Sequence, residues 1–117
     1  MNRVYLSGRL TIEPKMNGGK VPFCTVVLAV KRERKSRNGD YLVDFVPITT
    51  INDVANHFCL YCHKGDLIEC EGTIVSTNSS HYVKVTTYRL LCRSGTQLAE
   101  TETPDSIGDV VDEDELN

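Results

Sequence analysis

The sequence predicts an all-β fold, a small closed barrel of five strands with one short helix between the third and fourth. Three observations predict it. Five segments of the 117-residue chain alternate apolar and polar side chains or form β-rich runs, and turn-forming residues punctuate them. A single segment between the third and fourth runs carries helix end signals. The body, roughly 95 residues long, holds an odd set of cysteines (Cys24, Cys59, Cys62, Cys70 and Cys92) that read as free thiols, so closure rather than cross-linking must protect the sheet edges.

In the first segment Val4, Leu6, Gly8 and Leu10 alternate with Arg3, Tyr5, Ser7 and Arg9, which gives a strand one core face. Pro14 and Asn17-Gly18-Gly19 break the chain. Residues 23–30 follow, with Cys24, Val26, Leu28 and Val30 on one face and Phe23, Thr25, Val27 and Ala29 on the other. So apolar a run predicts a strand covered on both sides. Asn38-Gly39 is a hairpin turn signal. The return strand, residues 41–51, points Leu42, Asp44, Val46 and Ile48 one way and Tyr41, Val43, Phe45 and Thr49 the other. Pro47 cannot donate to a ladder and predicts an edge position or a bulge. Asn52 or Asp53 can cap a helix that runs through Lys64 and stops at Gly65. In residues 67–75 Ile68, Cys70, Gly72 and Ile74 face inward, with Glu69, Glu71 and Thr73 outward. A turn at Thr77-Asn78-Ser79-Ser80 leads to the last strand, residues 81–91.

The net charge of −3 conceals an asymmetry. Residues 96–117 hold eight acids and no Lys or Arg, whereas residues 1–95 hold thirteen basic and eight acidic side chains, a balance of +5. The basic body predicts an anionic partner. The end segment has only scattered aliphatics, too few to offset ordering costs of ~1–2 kcal/mol per residue, so it is expected to be flexible. Two regions follow, a folded domain over 1–95 and an acidic tail over 96–117. No stretch approaches the ~18 apolar residues of a membrane span, and the first residues lack an apolar signal-peptide region. A cytoplasmic location is therefore expected.

Residues 31–37, Lys31-Arg32-Glu33-Arg34-Lys35-Ser36-Arg37, place five basic side chains at a hairpin tip. Mobile cations suit a phosphate backbone, because each neutralised phosphate releases counterions. Tyr41 and Phe45 follow on the face away from the core, and stacking on aromatics contributes ~1–3 kcal/mol per base whatever the base. Periodicity leaves Phe45 open between core packing and stacking, and the charge run open between a solvated loop and a phosphate-binding finger. Cys59-Leu60-Tyr61-Cys62-His63 matches a haem-attachment pattern and, with His57, part of a zinc site. Its helical spacing with Ala55 equally suits small core residues, which is the favoured reading, so no cofactor or metal is expected. Neither a phosphate-binding loop nor a hydrolase or metalloprotease motif occurs, and Glu69 and Glu71 read as a wet strand face. No catalytic residue is expected.

Several of these segments together resemble the bacterial and phage single-stranded DNA-binding protein family. Asn2-Arg3-Val4-Tyr5-Leu6-Ser7-Gly8-Arg9-Leu10-Thr11 is similar to its opening pattern N-x-V-x-L-x-G-R-L-T, and Thr25-Val26-Val27-Leu28-Ala29-Val30 to its second strand. Asp44-Phe45-Val46, Tyr61-Cys62-His63-Lys64-Gly65-Asp66-Leu67-Ile68-Glu69-Cys70-Glu71-Gly72 and His81-Tyr82-Val83-Lys84-Val85-Thr86 resemble its later strands, in order. The resemblance implies a five-stranded OB-fold Greek-key barrel that binds single-stranded DNA in replication, recombination or repair and assembles as a homotetramer, with a dimer as second choice. The site would combine Phe45, Tyr41 and Tyr82 with Arg3, Lys31, Arg32, Arg34, Lys35, Arg37 and Lys84. Replication or repair proteins would be partners through the acidic residues 105–117. The chain departs from the family in its all-polar 31–37 segment, in Ile51 at a stacking position, in its short turn after the fourth strand, and in an end without a Pro-Phe tip. Those departures keep open an accessory, primosome-type replication role acting mainly through protein partners. A metal or redox protein built on Cys59, Cys62, His57 and His63 is the rival from another class.

Overall fold

The computed structural model describes residues 1–95; the expected acidic tail, residues 96–117, lies outside the described residues. Five strands and one helix follow the expected order: β1 (Val4–Leu10), β2 (Phe23–Lys35), β3 (Tyr41–Ile51), α1 (Asn52–Tyr61), β4 (Leu67–Ser76) and β5 (His81–Cys92). They close into a barrel in the order β1-β2-β3-β5-β4, with β4 returning to β1. Every pairing is antiparallel except a short parallel one, Ile48 with Val83 and Thr49 with Lys84, that joins β3 to β5. Closure gives every strand two neighbours, which answers the edge problem within the barrel of a body without disulfides, while the β2–β3 hairpin beyond it keeps open edges.

Strand parity places the core where alternation predicts it. Leu10, Cys24, Val26, Leu28, Ile48, Ile68, Cys70, Val83 and Val85 are buried inside the barrel. Helix α1 adds Ala55 and Phe58, and the Phe58 ring meets Tyr88 edge-on at 5.1 Å between centroids. Gly72 sits at a register shift where β4 crowds β5: a Cβ there would collide with the Lys84 carbonyl oxygen and lie 3.0 Å from Val85 Cα.

Four expectations need correction. The helix stops at Tyr61, not Lys64, because side chains from elsewhere capture the next amides: Asp66 Oδ2 accepts from His63 N at 2.8 Å and Glu13 Oε1 from Lys64 N at 3.0 Å. Neither Asn52 nor Asp53 caps its start; Ile51 is the cap residue, and Asn52 adopts φ 55 while its N–H goes to Pro22 O. Gly65 does mark the turn after the helix, at φ 89, but its N–H bonds to Leu10 O on β1. The outer face of β2 is not covered: Phe23 and Thr25 are exposed, Val27 and Ala29 half-buried. Ile74 and Leu42, on inward parity, are 48% and 45% exposed because their strands run past their neighbours. The β1–β4 register ends at Val4 with Gly72, and the Asn2 amide, not an apolar side chain, meets the Ile74 backbone. Pro47 fits its edge reading, since β3 pairs with β5 only from Ile48 onward.

Candidate nucleic-acid interface

Antiparallel register fixes which side chains share the outer face of β2 and β3. Phe23 lies opposite Ile51, Thr25 opposite Thr49, Val27 opposite Pro47, Ala29 opposite Phe45, and Lys31 opposite Val43. Phe45 is 66% exposed, because Ala29 is too small to cover a ring across the ladder. That geometry settles the ambiguity periodicity left: the ring faces solvent and is not core. The Thr25 and Thr49 hydroxyls hydrogen-bond at 2.9 Å, and the parallel pairing carries the same face on to Lys84 of β5. Tyr82, two residues before Lys84, is half-buried opposite Val75.

The hairpin beyond the barrel carries the cations. Its turn closes through Ser36 N to Asp40 O at 2.7 Å and Gly39 N to Ser36 O at 3.0 Å. Lys35 pairs with Tyr41 after a register shift, and the ammonium groups of Lys31 and Lys35 lie over the Tyr41 ring, 4.7 and 5.5 Å from its centroid. Arg34 and Arg37 are exposed at the tip.

Two sequence-predicted cations lie elsewhere. Arg32 holds Asp44 through Nε and Nη2, both at 2.9 Å, on the hairpin face away from Phe45. This two-pronged bond keeps the Asp44 carboxyl below its ordinary range. Arg3 pairs with Glu71 at 3.0 Å on the β1–β4 side. Thus the structure brings together Phe45, Tyr41, Lys31, Lys35, Lys84 and Tyr82, and sets Arg32 and Arg3 apart from them. Sequence reasoning missed Phe23 and the two threonines as members of this face, although strand parity already aligned them with Phe45.

The Cys59, Cys62, His57 and His63 set does not converge. Cys62 is buried, His63 turns outward to Glu13 Oε2 at 2.6 Å, and His57 bonds to the Tyr88 hydroxyl. Among the described residues no group of three or more His, Cys, Asp or Glu could hold a metal ion. Burial pushes the Cys24 thiol up to about 12, with a hydrogen bond to Cys59 adding to it, and pushes Cys70 up to about 11. Thiols held protonated in this way behave as small core residues.

A closed five-stranded barrel of this strand order, with an open face on its second and third strands, is an OB-fold, a class that recognises oligonucleotides and oligosaccharides on that face. Residues 1–95 match the Single-strand binding protein family, and the chain belongs to it. It is 33% identical over 91 residues to a single-stranded DNA-binding protein of Lactiplantibacillus plantarum, an alignment covering 75% of this chain and 45% of the relative. A single-stranded DNA-binding protein of Caldanaerobacter subterraneus is 38% identical over 76 residues, 63% of this chain and 51% of the relative. The chain thus spans about half the length of these relatives. The crystal structure of the wild-type single-stranded DNA binding protein from Thermus aquaticus superposes with a TM-score of 0.66 at 19% identity, over 78% of this chain and 50% of that one.

Proposed function

We propose that this protein binds single-stranded DNA without regard to base sequence and without catalysis, and serves replication, recombination or repair in the cytoplasm. The observation that carries the reading is Phe45, two-thirds exposed on the outer β2–β3 face and flanked along that face by Lys31, Lys35 and Lys84. An aromatic face accepts any base, and the cations meet the backbone, so affinity does not depend on sequence. Phe45, Tyr41, Tyr82, Lys31, Lys35 and Lys84 form the central track, with Arg34 and Arg37 at its tip. Arg32 and Arg3 reach DNA only where the strand wraps past the β2–β3 face. No helix among the described residues is long and apolar enough to cross a membrane.

Titration with oligo-dT at two salt concentrations tests this. Binding is expected to be micromolar or tighter and to weaken with salt. Phe45→Ala is expected to weaken it about 5- to 150-fold, the equivalent of ~1–3 kcal/mol for one lost stack. Absence of binding at low salt would overturn the proposal. If Phe45→Ala leaves affinity unchanged while loss of Lys31 and Lys35 abolishes it, the accessory role through protein partners gains instead.

The outer β1–β4–β5 face supports self-assembly, with a tetramer ahead of a dimer. Tyr5 stands 69% exposed there, among the Arg3–Glu71 and Arg89–Glu69 ion pairs. A small body gains buried surface by pairing that face with another copy. Light scattering at tens of micromolar is expected to give a multiple of 13.1 kDa, and a single 13.1 kDa species would refute the assembly. The acidic residues 105–117 are proposed to recruit replication or repair proteins and, as a tethered polyanion, to compete with DNA for the basic body.

A further inference from the structure

Tyr41 and Phe45 share a strand and a parity, yet their surroundings differ. Phe45 faces Ala29, which leaves its ring open. Tyr41 lies beyond the β2 register shift, where β2 spends four residues from Lys31 to Lys35 against two of β3 from Val43 to Tyr41. The shift keeps Lys31 and Lys35 on the outer face and brings both ammonium groups over one ring, at 4.7 and 5.5 Å. A ring quadrupole attracts cations, and two flexible side chains held by one anchor lose less freedom on meeting their ligand. A base arriving on that ring would have to displace an ammonium.

We propose that Tyr41 is a positioning residue for phosphate binding and not a stacking platform: it holds Lys31 and Lys35 as a paired cation beside the Phe45 stack. The inference rests on the DNA-binding reading and assigns the two aromatics of β3 separate tasks. Bases meet Phe45; the Tyr41 ring meets only lysines, and these meet neighbouring phosphates.

The test uses the full chain with Tyr41→Leu, which removes the ring and keeps bulk, and Tyr41→Phe, which keeps the ring. Oligo-dT affinity is measured across a salt series. Each single-strand phosphate contact contributes about 0.7 to the slope of log affinity against log salt, so Tyr41→Leu is expected to flatten that slope by up to about 1.4. It should weaken low-salt binding about fivefold. Tyr41→Phe is expected to match the wild type in both. A stacking role predicts the opposite pattern, an affinity loss in Tyr41→Leu with an unchanged slope, and that result overturns the inference. A second measurement needs no DNA. In the free wild-type protein the ε-methylene protons of Lys31 and Lys35 are expected upfield by ring current, and at ordinary positions in Tyr41→Leu. Ordinary shifts in the wild type would overturn the clamp itself. Wild-type protein that shows the upfield shifts yet binds no oligo-dT would remove the DNA-binding reading, and the phosphate role with it, while leaving the lysine pair in place.

Discussion

Asp66→Ala is expected to cost the fold about 2–4 kcal/mol and, for a domain of this size, to lower the melting temperature by roughly 10–25 °C. Asp66 is 1% exposed, and its carboxylate ties the turn after the helix to the segment that follows β5. Oδ1 accepts from Ser94 N at 2.7 Å; Oδ2 accepts from His63 N at 2.8 Å and from Arg93 Nη1 at 3.3 Å. Alanine would strand two backbone donors, while the half-exposed Arg93 guanidinium keeps its bond to the Tyr61 carbonyl, and it is the orphaned donors that make such a change costly. Asp66→Asn should fall between, since an amide keeps one acceptor oxygen but presents N–H groups to donors. Thermal unfolding by circular dichroism at fixed protein concentration measures this. A loss below about 1 kcal/mol would show that solvent replaces the carboxylate easily.

Gly72→Ala is expected to be comparably damaging for a different reason. The added methyl meets backbone, the Lys84 carbonyl group and Val85 Cα, and neither can rotate away. Strand β4 must separate from β5 where Cys70 and Val85 fill the core, a strain of about 1–3 kcal/mol or more. Because Lys84 lies on the proposed DNA face, oligo-dT binding should weaken along with stability. Gly18→Ala is the control: a Cβ there meets nothing within 4 Å, so its effect should be neutral or stabilising by about 0.4–1 kcal/mol. Equal melting temperatures for Gly72→Ala and wild type would mean that the two strands part without penalty.

Strand identity was legible in the sequence because period two survives in every strand that faces one core. Where the sequence misled, the missing information was tertiary. The helix ends early because Asp66, three residues on, takes the His63 amide and Glu13, on a distant loop, takes that of Lys64, and no local pattern records an acceptor as far away as Glu13. Ile74 and Leu42 have inward parity, but β1 has ended beside Ile74 and β5 joins β3 only from Ile48, so their exposure depends on register rather than on their own segments. The site was partly readable. Parity put Phe45 on the outer face, but its exposure depends on Ala29 opposite. Arg32 looked equivalent to the other hairpin cations until the β2–β3 pairing brought Asp44 within its reach. Family patterns in residues 2–91 supplied the family, as the match over residues 1–95 bears out.

The order in which the barrel closes has a consequence for the chain as it is made. β2 with β3, and β4 with β5, are hairpins whose partners emerge in succession. β1 is different: it pairs with β2 only at Arg9 and Leu10, but from Val4 to Arg9 with β4, more than fifty residues later in translation. Until Gly72 has left the ribosome, β1 has an open hydrogen-bonding edge and a row of aliphatic side chains. Such a strand is a template for pairing with a neighbouring nascent chain. Non-local closure also slows folding relative to a helical protein of equal size. The wait for β4 therefore sets how long β1 of each new copy is exposed to its neighbours on a polysome.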